Sequence, residues 1–315
     1  MSNLTSFFFK IKDTKFEKCL APKEKCENAA IRAHTVQNSR ILELLSSKDN
    51  HLIGFKLKCF ADKAPIFIYD KVPRDEATTF KGLCSLHDAK LFKPIDTQKI
   101  DLNNKEHCYL FAYRAVIREL HSTIESTRKF QSAYLEIEKP DQNKNALIGT
   151  AGTIATENLM NSYEIYKYKI KYDFIYEYKL YEYINHFSIA FDMQRPTIAV
   201  SSMFLVNDIN NDEGEPLRIV LNIFPLSHEK TIVLFSWLSH ENEAAKLKLI
   251  NILSSEGDYR KYLVSKLVLR YCENLVISPE YFLSWSDRKK YIVKQFFEKN
   301  TGKEWEFDDT DVFLF

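Results

Sequence analysis

Three cysteines and a histidine set in polar sequence constrain this chain more than any other feature. Cys19 and Cys26 are separated by six residues in Cys19-Leu20-Ala21-Pro22-Lys23-Glu24-Lys25-Cys26, a polar, proline-containing stretch. A loop of that length can curl back and offer two thiolates to one ion. Much later comes Cys84-Ser85-Leu86-His87, a C-x2-H step matching the tight spacing of a knuckle or a helix start. Four soft or borderline donors in two pairs form the closed tetrahedral set that zinc favours. The other cysteines, Cys59, Cys108 and Cys272, sit among apolar neighbours and read as core thiols.

The compartment matters to that reading. The apolar triplet Phe7-Phe8-Phe9 near the amino terminus is followed by no long apolar run and no small-residue cleavage site. No stretch approaches the roughly 18 consecutive apolar residues of a membrane span. A cytoplasmic protein without a membrane partner is therefore expected, where thiols stay reduced and clustered cysteines point to metal rather than disulfides.

The rest of the chain reads as an α+β protein. With 23 Phe, 17 Tyr and 3 Trp in 315 residues, a sizeable core is available. Strand-like pieces are Leu4–Lys12 and Ile66–Tyr69, and a short helix is expected over Thr35–Ser46. Polar turn and capping residues at 101–104 precede a long helix from Lys105 to Glu138, where Leu110, Tyr113, Val116, Ile117, Leu120 and Ile124 recur at helical spacing. Lys139–Thr153, with proline and two glycines, reads as a loop, and a second long helix is expected from Ile154 to about Tyr183, with some strand-like alternation. Four β-rich runs follow, His186–Met193, Thr197–Val206, Leu217–Pro225 and Thr231–Leu238, consistent with an antiparallel sheet. Helical patterns return at Glu241–Ser254, Tyr259–Cys272 and Pro279–Lys299, and the tail Glu304–Phe315 is acidic and aromatic. The expected division is a zinc module over 1–100, long connector helices over 101–185, and an α+β domain over 186–315. In it, an antiparallel sheet is flanked by helices.

Between the two donor pairs stands Ile31-Arg32-Ala33-His34-Thr35-Val36-Gln37. Together with Gly82-Leu83-Cys84-Ser85-Leu86-His87-Asp88-Ala89-Lys90-Leu91-Phe92 it resembles the HNH endonucleases, the ββα-metal fold built on a treble-clef zinc site. The resemblance covers residues 16–93. It implies that His34 matches the family's general base, which activates water for attack on a phosphodiester. It also implies a catalytic Mg²⁺ or Mn²⁺ beside the structural zinc, with Asp88 where the family often places a metal-binding histidine. The sequence departs from the pattern in three places. Ala33 stands where many members have a metal-binding Asp, Glu or His, no asparagine occurs in Thr78-Thr79-Phe80-Lys81, and His87 suits either metal. If His87 takes the catalytic ion, the zinc loses its fourth ligand.

Charge gives a weaker hint of the partner. Residues 1–100 carry 18 Lys+Arg against 12 Asp+Glu, a balance of +6, and the remainder carries 26 against 31, a balance of −5. A basic front half fits a phosphate-rich partner, though a solvated lysine surface explains it about as well. Arg32, Arg114 and Arg118 are the candidate nucleic-acid contacts. Arg114, Arg118 and His121 share one helix face, and salt bridges to Glu119 and Glu125 are the competing use of the two arginines. The expected activity is hydrolysis of nucleic acid, DNA ahead of RNA. The alternative is a non-catalytic, zinc-stabilised protein that binds nucleic acid or another protein. Two further patterns carry nothing: the Asp-rich stretch Asn207–Glu215 has its glycine one position late for a calcium loop and reads as a hairpin turn, and Gly149-Thr150-Ala151-Gly152 lacks the Lys of a phosphate loop.

Overall fold

The computed structural model describes residues 14–22, 26–58, 66–137, 145–206, 217–300 and 312–315. The expected strand Leu4–Lys12, Cys59, the turn at Asn207–Glu215 and most of the tail Glu304–Phe315 lie outside these residues.

In chain order the elements are β1 (Ile31–His34), a helical turn α1 (38–45), β2 (His51–Lys58), β3 (Ile66–Pro73), β4 (Thr79–Leu83), α2 (Ser85–Thr97), and the long helices α3 (Lys105–Ile137) and α4 (Asn145–Tyr178). Then come β5 (Ile184–Asp192), β6 (Ile198–Val206), β7 (Leu217–Ser227), β8 (Lys230–Leu238), α5 (Asn242–Lys248), α6 (Ile250–Ser254), α7 (Gly257–Tyr271), β9 (Leu275–Ile277), α8 (Pro279–Leu283) and α9 (Asp287–Asn300). No described helix is long and apolar enough to cross a membrane.

Seven strands form one antiparallel sheet in the order β3-β2-β9-β6-β7-β8-β5. The expected antiparallel sheet flanked by helices is present. Its central strands read as largely apolar runs because both of their faces are covered. Along β7, Leu217, Ile219, Leu221 and Ile223 join the core beneath the C-terminal helices, while Val220 and Phe224 face the other way. On that second face α3 lies across the sheet, with Phe111 stacked on Phe224 at 4.7 Å.

The structure differs from the sequence reading in several places: β2 and β4 are not expected from it, the helix expected over Pro279–Lys299 is interrupted at 284–286, and two further differences concern packing. First, the boundary expected at residue 100 does not coincide with a break in the sheet. β2 and β3 belong to it, joined through β9, and α9 closes over them with Phe55 stacked on Phe297 at 4.1 Å. The short strand β9 had no signal of its own in three residues, so the bridge from the front of the chain to the sheet was not readable. Second, residues 145–153 are helical rather than loop. The glycine taken as a breaker is a close-approach position: a Cβ on Gly152 would meet the Tyr134 ring at 3.2 Å, so its absence lets the two long helices come together.

The strands β1 and β4 form a separate two-stranded ladder, with Ile31 opposite Leu83 and His34 opposite Thr79. Everything between them, including the β2–β3 hairpin, is an insertion into that small unit. Its core is continuous with the second face of the large sheet, since Phe80, Leu83, Leu91 and Phe92 join Val116 and Leu120 of α3 in one apolar cluster.

Candidate metal centre

The local chain explains why four donors meet. An antiparallel bridge between Lys18 and Ala29 closes the segment carrying Cys19 and Cys26 into a loop. The Leu20 N–H donates to the Gly82 carbonyl at 2.7 Å, which lays that loop on the end of β4. Gly82 has to be glycine for this fit, because a Cβ there would sit 2.8 Å from the Phe80 ring. One residue later the strand ends, Cys84 precedes the first turn of α2, and the helix carries His87 back over Cys84.

The donor atoms of Cys19, Cys26, Cys84 and His87 all lie within 4.8 Å of one another. Cys26 Sγ is 3.7 Å from Cys84 Sγ, and His87 Nδ1 is 3.4 Å from Cys19 Sγ and 3.3 Å from Cys84 Sγ. A tetrahedral cation with metal–sulfur bonds of about 2.3 Å and a metal–nitrogen bond of about 2.0 Å has edges of about 3.8 and 3.6 Å. The donors are therefore spaced as such an ion requires. His87 lies with the three cysteines in this group. Among the described residues no second group of three or more His, Cys, Asp or Glu gathers in this way.

The thiols are not equivalent. Burial pushes Cys19 up to about 11. Cys84 is buried too, which raises its pKa, yet the backbone N–H of His87 and the Cys26 and Cys19 thiols outweigh burial and bring it to about 7. The Cys84 N–H in turn donates to Cys19 Sγ at 3.3 Å, and Asn28 Nδ2 approaches Cys84 Sγ at 4.0 Å. These are the groups expected around sulfur that carries negative charge. Asn28 was not anticipated, and its only signal is its place two residues after Cys26.

His34 ends β1, partly buried. Its Nε2 lies 3.3 Å from the Arg74 carbonyl. A carbonyl only accepts, so Nε2 carries the proton and Nδ1 the lone pair. Burial, joined by the Arg114 charge, holds the ring below its ordinary pKa against the Arg74 hydrogen bond, which keeps it neutral near pH 7. Asp88, in the first turn of α2, is pushed up by burial while Arg114 pulls it down, and its Oδ1 is buried without a partner.

Each of the three candidate arginines has a carboxylate partner within the chain. Arg114 forks onto Asp96 at 3.0 and 2.6 Å, is 2% exposed, and lies over the Phe92 ring at 4.0 Å. Its partner is thus Asp96, neither Glu119 nor Glu125. Asp88, Phe92 and Asp96 recur every four residues, so they share one face of α2, and Arg114 lies along that face. Arg118 pairs with Glu119 at 3.0 Å and Arg32 with Glu76 at 2.8 Å. His121 Nε2 donates to the Phe16 carbonyl at 2.7 Å and packs edge-on to Phe80, a structural use.

No known protein family matches this chain, and neither a curated protein nor a solved structure shows significant similarity to it.

Proposed function

We propose that the Cys19–Cys26–Cys84–His87 centre holds a structural zinc ion in a treble clef, and that this clef supports an HNH-like endonuclease site. Three thiolates and one imidazole are the donor set of closed zinc sites, and no open position is left for chemistry. The loop, hairpin and helix around the donors occur in the order in which the sequence resemblance has them. The observation that carries the catalytic reading is His34. Its tautomer is fixed by the Arg74 carbonyl, leaving Nδ1 as a base on a neutral ring.

The proposed reaction is hydrolysis of a phosphodiester, with DNA as the preferred substrate class and the cytoplasm as the compartment. His34 Nδ1 takes a proton from water, the water oxygen attacks phosphorus, and the bond to the leaving oxygen breaks. In this reading Asp88 would be the protein's ligand to a divalent ion, since its Oδ1 is a buried carboxylate oxygen without a partner. Mg²⁺ or Mn²⁺ there would supply charge for the leaving oxygen. Arg114 fixes Asp96 and adds positive potential beside both groups.

Plasmid DNA incubated with the protein and Mg²⁺ or Mn²⁺ tests this. Cleavage that falls at least ~100-fold in His34→Ala is expected of a lost general base. Full activity in that variant, or no cleavage with any metal, overturns it. A second reading rests on there being no further ligand group among the described residues and on the paired arginines: a zinc-stabilised binder of nucleic acid or protein without turnover. It predicts retarded migration of nucleic acid or a captured protein, unchanged by His34→Ala.

A further inference from the structure

The side of α4 turned away from the core is rich in large apolar and aromatic side chains, with the exposed Lys167 and Glu177 set among them. Leu159, Met160, Tyr163, Tyr166, Ile170, Phe174 and Tyr178 are all 45–60% exposed. At 100° per residue they fall within a sector of about 120°, opposite Ile165, Tyr168, Tyr172 and Ile175, which face α3 and the sheet. A surface helix normally shows the reverse pattern outside. Seven half-exposed large side chains present on the order of 800 Å², taking the area of a large apolar residue at about 200 Å². That exceeds the patch expected on a monomer, and it reaches the roughly 800 Å² per partner of a standard interface.

The two ends of the stripe differ in shape and charge. At its amino-terminal end Leu159, Met160 and Tyr163 are exposed. At its carboxy-terminal end Ile170, Phe174, Tyr183 and Leu238 line an apolar groove of about 710 Å³. Residues 152–166 carry Glu157 and Glu164 and no Lys or Arg, whereas residues 167–179 carry four Lys against Asp173 and Glu177. Lys169 is buried on Asp173 and Lys167 reaches back to Glu164, so the two ends differ in sign by only about one charge each. One end is thus weakly acidic, the other weakly basic and grooved. A surface holding both halves of a complement is self-complementary when turned end for end.

We propose that α4 is the interface of a two-fold dimer, in which the α4 helices of two copies run antiparallel. Leu159 and Met160 of one copy fill the groove of the other, and the acidic end of each helix lies along the basic end of its partner. A two-fold axis near Tyr166 and Ile170 satisfies both requirements at once. A two-fold interface uses the same patch twice, so nothing else is needed to cover it. This inference does not depend on the nuclease reading.

Sedimentation equilibrium of the full chain tests it. Twice the monomer mass of 37.0 kDa at micromolar concentration is expected. Phe174→Glu and Met160→Glu, at opposite ends of the stripe, should each weaken association by about 100-fold while leaving metal content and far-UV circular dichroism unchanged. The double variant Leu159→Cys/Tyr178→Cys should form a covalent dimer on oxidation, whereas Leu159→Cys alone should not. A wild-type chain that stays monomeric at 100 µM overturns the proposal. So does cross-linking by Leu159→Cys alone, which signals parallel helices. A monomer whose stripe binds phosphatidylcholine vesicles overturns it as well, by assigning the face to a lipid surface.

Discussion

The small hairpin unit and the large sheet are held together by different physics. β1 and β4 span four and five residues and pair only with each other. A ladder of that size is not stable by itself, so its geometry rests on the donor cluster at one end and on α3 beneath it. The central strands of the sheet run to eleven residues and are buried on both faces, so their stability comes from apolar area and from ladder hydrogen bonds. The first region rests its stability on the apolar cluster it shares with α3 and, in the proposed reading, on four donor side chains. The second spreads it over dozens. The two are nonetheless joined: Asn274 Nδ2 donates to Thr35 Oγ1 and to the Ser201 carbonyl at 2.8 and 2.9 Å, bridging the hairpin unit to β6.

That contrast can be broken experimentally, and the largest effect should come from the metal. Structural zinc is worth on the order of 10 kcal/mol to small zinc-built units. If the proposed zinc is bound, Cys84→Ser or exhaustive chelation should reduce zinc from one per chain to near none. It should also abolish amide protection over 26–34 and 79–97 while leaving β6–β8 protected. Equal loss of protection in both regions would show that the cluster is not a local clamp.

Next comes the sheet. Phe235 is fully buried in β8, and Phe235→Ala should cost about 3–5 kcal/mol in urea unfolding. Zinc should stay bound up to the transition. A drop under 1 kcal/mol would contradict the spread-out core described here.

A smaller effect is set by pH. His186 on β5 bonds Ser236 Oγ through Nδ1 at 2.8 Å, and burial lowers its pKa to about 4. The unfolded chain takes up a proton near 6.5 that the folded chain refuses until about 4. Stability should therefore fall as pH drops through that window, by up to about 3 kcal/mol, and the slope should shrink in His186→Gln. A pH profile identical in the variant would discard the assignment. At the bottom of the scale, Arg32→Ala removes an exposed pair with Glu76 and should change stability by less than about 0.5 kcal/mol. A loss above 1 kcal/mol would mean that the surface of the hairpin unit is stabilised by charge rather than by its metal centre.

How much of this was legible in the sequence follows from the range of each signal. The four donors were readable because thiols in polar, turn-rich sequence have few other uses, and their chemistry does not depend on what surrounds them. The long helices and the four C-terminal strands were readable because period and length are local properties. What the sequence could not say is which distant segments share a sheet. β2 and β3 join β6 only through the three residues of β9, and strand pairing is chosen by whichever edges remain after the core closes. Nor could it assign Arg114 to Asp96 rather than to Glu119 or Glu125. All three carboxylates were available by charge, and only the placement of α2 on α3 decided among them. The apolar face of α4 was likewise ambiguous: aromatic spacing on a helix names a stripe, and tertiary contacts decide which stripe is inside. Identity and spacing of donors are written into the chain, whereas partnership between distant groups is a property of the folded whole.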